Sequence, residues 1–342
     1  MTKSENSRHL KFLIVGLGSM GKRRIRNLQR LGYTDIIGVD NRPDRQKESQ
    51  KLYSIKTYSD IKKSLLEKPT AMIISTPPDQ HLKYAILAIK YNIPFFTELN
   101  LIANHVQKIA DKANKKKIIA CPSFTMRNHP VIKEIKKLVD SNVIGKIHLV
   151  LHHTGHYLPN WHPWEKPEEF FVSKKETGGA KELLAADLVW LSYVFPPPKS
   201  ISGHVNKISK LKINADDVYS TTMKLENNII CNILIDVISI PSIKITKIIG
   251  ERGTIICDIV NGNLKISYGK KWREIRVNVG DVAKGYKGIT PPETLYEDEM
   301  RSFIDLLCNK KQYPYTYVDE LRSLHIIEKI EKSSLTNKIL HL

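Results

Sequence analysis

The run Gly16-Leu17-Gly18-Ser19-Met20-Gly21 constrains this chain more than any other feature. It fits G-x-G-x-x-G, and its surroundings complete the pattern. An apolar run, Phe12–Val15, precedes it, and a helical stretch over 20–31 follows. A second apolar run over 36–39 ends in Asp40, about 20 residues after the glycines. Each part has a physical task. Gly16 permits the tight turn, Gly18 lets the backbone approach a pyrophosphate, and Gly21 lets helix and strand pack closely. The free amides at the helix start, around Ser19 and Met20, favour an anion together with the helix dipole. Asp40 then accepts hydrogen bonds from ribose hydroxyls. These residues point to a nicotinamide dinucleotide, NAD(H) ahead of NADP(H), because a carboxylate repels a 2′-phosphate. Asn41 follows Asp40, and Arg42 and Arg45 stand close enough to offset that repulsion.

The same alternation continues to about residue 121. Apolar runs at 72–75, 93–97 and 117–121 are separated by amphipathic stretches at 80–91 and 104–114. Short buried runs between such helices imply parallel strands with crossover helices, a doubly wound Rossmann sheet. Ser75-Thr76-Pro77-Pro78 ends one of these strands, and in open α/β sheets ligands bind outside the carboxyl ends of strands. Beyond residue 150 the pattern changes. One or two helices over 165–195 lead into a strand-rich meander over 199–280, and helices return at 292–308 and 319–333. The expected architecture is α/β in two parts: a Rossmann domain over 1–125, and over 126–342 a substrate-binding and oligomerisation domain with an open, mostly antiparallel sheet.

Composition excludes several classes. Of 342 residues 41% are hydrophobic and 26% charged, enough for a real core in a globular chain. The most apolar stretch, 229–240, is interrupted by Asn232 and Asp236, too short and too polar to span a bilayer. The first 11 residues are polar and lack the apolar centre of a signal peptide. No membrane partner and a cytoplasmic location are therefore expected. The four cysteines, Cys121, Cys231, Cys257 and Cys308, form no metal-ligand spacing and read as free thiols. The net charge of +19 is scattered along the chain, without an arginine-rich stripe, so no nucleic-acid partner is expected.

Several motifs together resemble the glucose–fructose oxidoreductase/inositol dehydrogenase/MocA superfamily. They are the glycine fingerprint with Asp40, then Ser75-Thr76-Pro77-Pro78-Asp79-Gln80-His81, then Phe96-Thr97-Glu98 at the end of the fifth strand. Arg127-Asn128-His129-Pro130 follows, and Thr177-Gly178-Gly179-Ala180 resembles the glycine-rich motif of the family's second domain. The resemblance implies redox chemistry on sugars, nucleotide-sugars or cyclitols, and a homodimer or homotetramer. It places Ser75, Thr76, Pro77, His81, Glu98 and Arg127 with the cofactor.

The chain departs from that family at the chemistry. The family has Glu-Lys-Pro at the end of the fifth strand, and its lysine is catalytic; here the residues are Glu98-Leu99-Asn100. The family's histidine after the glycine-rich motif falls on Ala185 or Ala186. Leucine transfers no proton, so either the acid/base has moved or the protein only binds NAD(H), as a sensor or scaffold. Candidates for a relocated acid/base lie in the run from His152 to Trp164, chiefly His156, Tyr157 and His162, and in the pair Lys181-Glu182. Strand alternation sets His153 on the opposite face from His152 and His156, and the absence of cysteine or a nearby acid argues against a metal site. A hydride-transferring oxidoreductase with NAD as cofactor and a polyol or sugar as substrate is expected.

Overall fold

The computed structural model describes residues 10–161, 163, 165–282 and 291–342. The chain opens with β1 (Phe12–Val15), α1 (Ser19–Arg30), β2 (Ile36–Val39), α2 (Pro43–Tyr53), β3 (Lys56–Tyr58) and α3 (Ile61–Leu65). It continues through β4 (Ala71–Ile74), α4 (His81–Lys90), β5 (Phe95–Thr97), α5 (Ala103–Lys116) and β6 (Ala120–Pro122). Next come α6 (Pro130–Asp140), β7 (Ile147–Gly155), α7 (Ala180–Val194), β8 (Pro198–Asn206), β9 (Val218–Leu225) and β10 (Ile230–Asp236). A run of strands follows: β11 (Ile243–Gly250), β12 (Gly253–Asp258), β13 (Asn263–Tyr268) and β14 (Lys271–Arg276). The chain closes with α8 (Glu293–Leu307), α9 (Tyr317–Thr336) and β15 (Leu340–His341). No described helix is long and apolar enough to cross a membrane.

The chain divides into two compact units, Met1–Phe124 with Glu293–Leu321, and Thr125–Pro292 with Arg322–Leu342. The sequence-based division at 125/126 therefore differs over 293–321, which return to the first unit. The cause is α8. Its Met300, Phe303 and Ile304 join Phe12, Ile14, Ile25, Leu28 and Phe96 in one buried core. Its acids also answer the bases of α1: Glu293 pairs with Arg23 at 3.1 Å and with Arg26 at 3.0 Å, and Glu299 pairs with Arg24 at 2.6 Å.

The first unit's sheet is wholly parallel, in the order β3-β2-β1-β4-β5-β6. The order reverses between β1 and β4, which is where a doubly wound sheet opens a crevice for a ligand. Strands β1, β2 and β4 are buried along their whole length, as expected when helices cover both faces.

The second unit's sheet has nine strands in the order β14-β13-β12-β11-β7-β10-β9-β8-β15. β7 and β10 pair in parallel, and the other neighbours are antiparallel. Side chains alternate along each strand. On β7, Val150, His152 and Thr154 face the buried side. On β11, the register sets Thr246 beside His152 and Lys244 beside Thr154. Polar residues from two neighbouring strands thus share one buried face.

Candidate functional site

In the first unit the loops after β1, β2, β4 and β5 hold the expected cofactor residues other than Arg127 and His81. Gly16 has φ +92, and a side chain there would meet Ser75 O at 2.6 Å. A Cβ on Gly21 would meet Gly16 O at 1.8 Å, so the helix packs against the turn only through glycine. Gly18 caps α1 without a side-chain hydrogen bond, and the first turn, beginning Ser19-Met20-Gly21, contains no acid. The helix start is therefore left for an anion. The Asp40 carboxylate is fixed by two backbone donors, Leu17 N–H at 2.8 Å and Arg42 N–H at 2.9 Å. Its remaining lone pairs suit ribose hydroxyls. Arg42 is turned onto Asp44 by two hydrogen bonds of 3.1 and 2.6 Å, and the neighbouring Asn41 is exposed.

Thr76 Oγ1 is buried and has no hydrogen-bond partner among the described residues. An orphan hydroxyl beside a glycine turn, a bare helix start and a carboxylate fixed by backbone donors together fit a dinucleotide. Pro77 leads from this loop into the turn Pro78–Gln80. Glu98 is not free: Arg24 grips both its oxygens at 2.7 Å, and Ser75 Oγ donates to it at 3.0 Å. His81 lies behind the loop, fully buried, with Nε2 on Thr76 O and Nδ1 on Asn100, each at 2.8 Å. Its link to the cofactor site runs through Thr76. Sequence reasoning singles out neither Arg24 nor Asn100; the signal for Asn100 is its place where the resembled family has proline.

In the second unit four donors converge on one fully buried carboxylate, Asp187 of α7. His152 Nε2 meets Oδ2 at 2.9 Å, Thr154 Oγ1 donates to Oδ2 at 2.5 Å, and Trp190 Nε1 donates to Oδ1 at 3.1 Å. The Lys244 ammonium donates to Oδ1. A carboxylate only accepts, so His152 carries its hydrogen on Nε2, and its Nδ1 takes the Thr246 hydroxyl at 2.9 Å. Burial works to raise the Asp187 carboxyl, but Lys244 and His152 overcome it and hold the group well below the usual carboxylate range. Burial, reinforced by the Lys244 charge, pushes His156 and His129 each down to about 4. The lysine charge is thus felt by two neutral imidazoles and neutralised by one acid.

The described acid/base candidates named from sequence have different surroundings. Lys181 Nζ pairs with Glu331 at 3.0 Å, and Tyr219 OH donates to the same carboxylate at 2.8 Å. Glu182 Oε2 is inaccessible and has no partner among the described residues, and burial pushes its carboxyl up to about 8. His156 is half-buried, its Nδ1 without a hydrogen-bond partner among the described residues, and Tyr157 is half-buried next to it in the chain. His162 lies outside the described residues. His153 faces away from His152 and pairs with Asp236 at 2.8 Å. Arg127 belongs to this unit, its Nε donating to Val189 O of α7 at 2.8 Å. Among the described residues no three His, Cys, Asp or Glu are grouped to hold a metal.

Comparison with known proteins agrees with this layout. A family profile described as an oxidoreductase family with an NAD-binding Rossmann fold matches residues 10–124. The GFO/IDH/MocA C-terminal domain profile matches residues 132–256. The chain belongs to the GFO/IDH/MocA family, and is an NAD-binding oxidoreductase. The superfamily, the α/β fold and NAD as cofactor, each expected from the sequence, hold.

Over 79 residues the chain is 32% identical to Oxidoreductase P35 of Formosa agariphila, a match spanning 22% of this chain and 25% of that protein. Three solved structures share the whole fold. An oxidoreductase from Agrobacterium radiobacter, in complex with NAD+, L-tartaric acid and magnesium, has TM-score 0.84 at 13% identity over 97% of this chain and 98% of that one. Levoglucosan dehydrogenase with NADH and L-sorbose gives 0.82 at 14% over 97% and 98%. The WlbA dehydrogenase from Bordetella pertussis with NADH and UDP-GlcNAcA gives 0.80 at 16% over 98% of both chains.

Proposed function

We propose that this protein is an NAD(H)-dependent dehydrogenase that interconverts CH–OH and C=O on a sugar, nucleotide-sugar or cyclitol. Gly16, Gly18, Ser19, Met20 and Gly21 hold the pyrophosphate, and Asp40, Asn41 and Arg42 the adenosine ribose. Ser75, Thr76, Pro77, Glu98 and Arg127 serve the nicotinamide side. NAD(H), when bound, supplies the carbon that accepts or gives the hydride. The proton that the substrate oxygen loses or gains belongs to Lys244.

One observation carries this reading. The second unit places a lysine ammonium against a fully buried carboxylate on the inner face of its sheet. Removing two charges from water is costly and adds little to stability over an apolar core of the same shape. The pair is therefore best understood through chemistry. Lys181 is committed to Glu331. His156, held down at about 4, is a poor proton acceptor near neutrality, and Glu182 Oε2 is inaccessible and has no hydrogen-bond partner among the described residues to pass a proton to. Lys244 has the buried Asp187 carboxylate as its counter-charge. The levoglucosan and UDP-GlcNAcA complexes of similarly folded proteins support a sugar substrate.

Titration of NADH and NADPH, followed by energy transfer from tryptophan, comes first. NADH binding with weak NADPH binding is expected from Asp40. A panel of nucleotide-sugars, uronic acids and cyclitols is then offered with NAD+, and their oxidised forms with NADH. Binding of NADH without turnover of any member would replace the dehydrogenase with a cofactor-binding sensor. The unpaired cysteines suit the cytoplasm, and the open face of the nine-stranded sheet suits a homodimer or homotetramer.

A further inference from the structure

His81 sits between two groups that constrain its protons. The Thr76 carbonyl, 2.8 Å from Nε2, can only accept, so Nε2 must carry a hydrogen to hold it. Nδ1 lies 2.8 Å from Asn100 Oδ1. Asn100 Nδ2 donates to Glu320 Oε2 at 2.9 Å and to Thr97 Oγ1 at 2.8 Å, and the oxygen and nitrogen of such an amide are assigned only through the hydrogen bonds around them. Asn100 N–H donates to Glu320 Oε1 at 3.3 Å, and Tyr317 OH meets Thr97 Oγ1 at 3.0 Å. Glu98 and Asp79 are the other charges that act on His81. All these groups lie in the first unit.

Two closed arrangements exist, and each places one proton on the His81–Glu320 pair. In the charged one, His81 Nδ1–H donates to Asn100 Oδ1, and the Asn100 NH2 donates to an ionised Glu320. In the neutral one the amide is turned: its NH2 donates to a bare Nδ1, and protonated Glu320 donates to its Oδ1. The two amide orientations share one outline, so the protons select between them. Burial lowers His81 and pushes Glu320 up to about 8, and two buried charges kept apart by an amide gain little from each other. The neutral arrangement is the resting one.

We propose that Glu320, Asn100 and His81 are positioning residues that latch the cofactor loop through Thr76. The latch is closed while Glu320 is protonated and opens when it ionises. Loss of that proton to solvent turns the Asn100 NH2 back to the Glu320 carboxylate. Asn100 Oδ1 then faces His81 Nδ1, which takes the single ring hydrogen. Nε2 is left bare against the Thr76 carbonyl, lone pair to lone pair, and the loop loses its anchor. The binding of NAD(H) is thereby tied to the protonation of a carboxyl on α9.

The inference rests on NAD(H) binding, not on turnover. The test is the NADH affinity of the full chain from about pH 6.5 to about pH 9.5, compared with Glu320→Gln. Glutamine is permanently neutral and offers Asn100 the same donor. Wild type is expected to weaken about tenfold, the loss of one buried hydrogen bond, as pH rises through the Glu320 ionisation. Glu320→Gln should stay flat at the low-pH affinity. A flat wild type, or parallel loss in both proteins, overturns the latch. A second measurement needs no folded variant of Glu320: the 15N shifts of the His81 ring, assigned by their loss in His81→Gln. A ring protonated on Nε2 alone near neutrality, passing to Nδ1 in base, is expected; a doubly protonated ring near neutrality overturns it. If NADH fails to bind at any pH, the functional proposal falls, and the ring tautomer still decides the latch.

Discussion

A lysine charge, a carboxylate and an imidazole meet in the second unit from residues 152, 187 and 244. Lys244→Met removes the proton while leaving the dinucleotide loops untouched. Turnover should fall by about 100-fold or more, with NADH affinity unchanged. Equal activity in the variant would assign the proton to another group. Asp187→Asn acts differently, because it leaves a buried ammonium without its counter-ion. A loss of about 3–5 kcal/mol is expected near neutrality in urea unfolding. The Asp187 carboxyl lies below its unfolded value, so its stabilisation is present above about pH 4 and is lost as pH falls through the depressed value. The gap between wild type and variant should therefore narrow in acid, and a gap independent of pH would contradict the ion pair. Lys244 was not legible in the sequence. Nothing local marks it, since its place beside Thr154 depends on β11 pairing with β7. The glycine turn, the bare start of α1 and the position of Asp40 at the end of β2 were legible because they are local.

At the scale of elements, α1 and α8 show what charge pattern records and what it leaves open. Helix α1 carries Lys22, Arg23, Arg24 and Arg26 and no acid in its first turn, while α8 carries Glu293, Glu297 and Glu299. Either helix can be read as amphipathic, but neither pattern says which helix receives the other across more than 260 intervening residues. Hence sequence reasoning alone leaves the last helices with the second domain. Arg24 is the hinge of this match, fully buried, gripping Glu98 and Glu299 and stacked over the Phe96 ring at 4.8 Å. Arg24→Met would leave two carboxylates facing each other without a cation. Its unfolding free energy should drop by about 3–5 kcal/mol, and Arg24→Lys should recover only part, because an ammonium cannot fork across both acids. An Arg24→Met variant as stable as wild type would show that the pair contributes nothing net. The short β3 and α3 escaped the sequence for another reason: three to five residues are too few to show a period.

For the whole molecule, alternation of buried runs and amphipathic helices, then a meander, was enough to set the α/β class, because these periods are imposed by burial on one or two faces. The meander also leaves a surface to be covered. In the nine-stranded sheet, α7 and the later part of α9 lie against the inner face, where Tyr219 reaches Glu331 and Gly203 meets Ile330. The outer face carries Ile230 and Leu234, 36% and 38% exposed, with Leu151, Ile243 and Ile245 half-buried beside them. The sheet edges are guarded: β14 presents Lys271, Arg273 and Arg276, and β15 is two residues long. Charged or very short edge strands resist pairing with another chain, so association should proceed through the face. Light scattering should find a dimer or tetramer for wild type. Leu234→Glu combined with Ile245→Glu should give a monomer that still binds NADH, since neither residue belongs to the first unit. Lys271→Ala with Arg273→Ala, at the edge, should leave the assembly as it was. A monomeric wild type, or a face variant that keeps its size while the edge variant changes, would mean that the contact lies elsewhere.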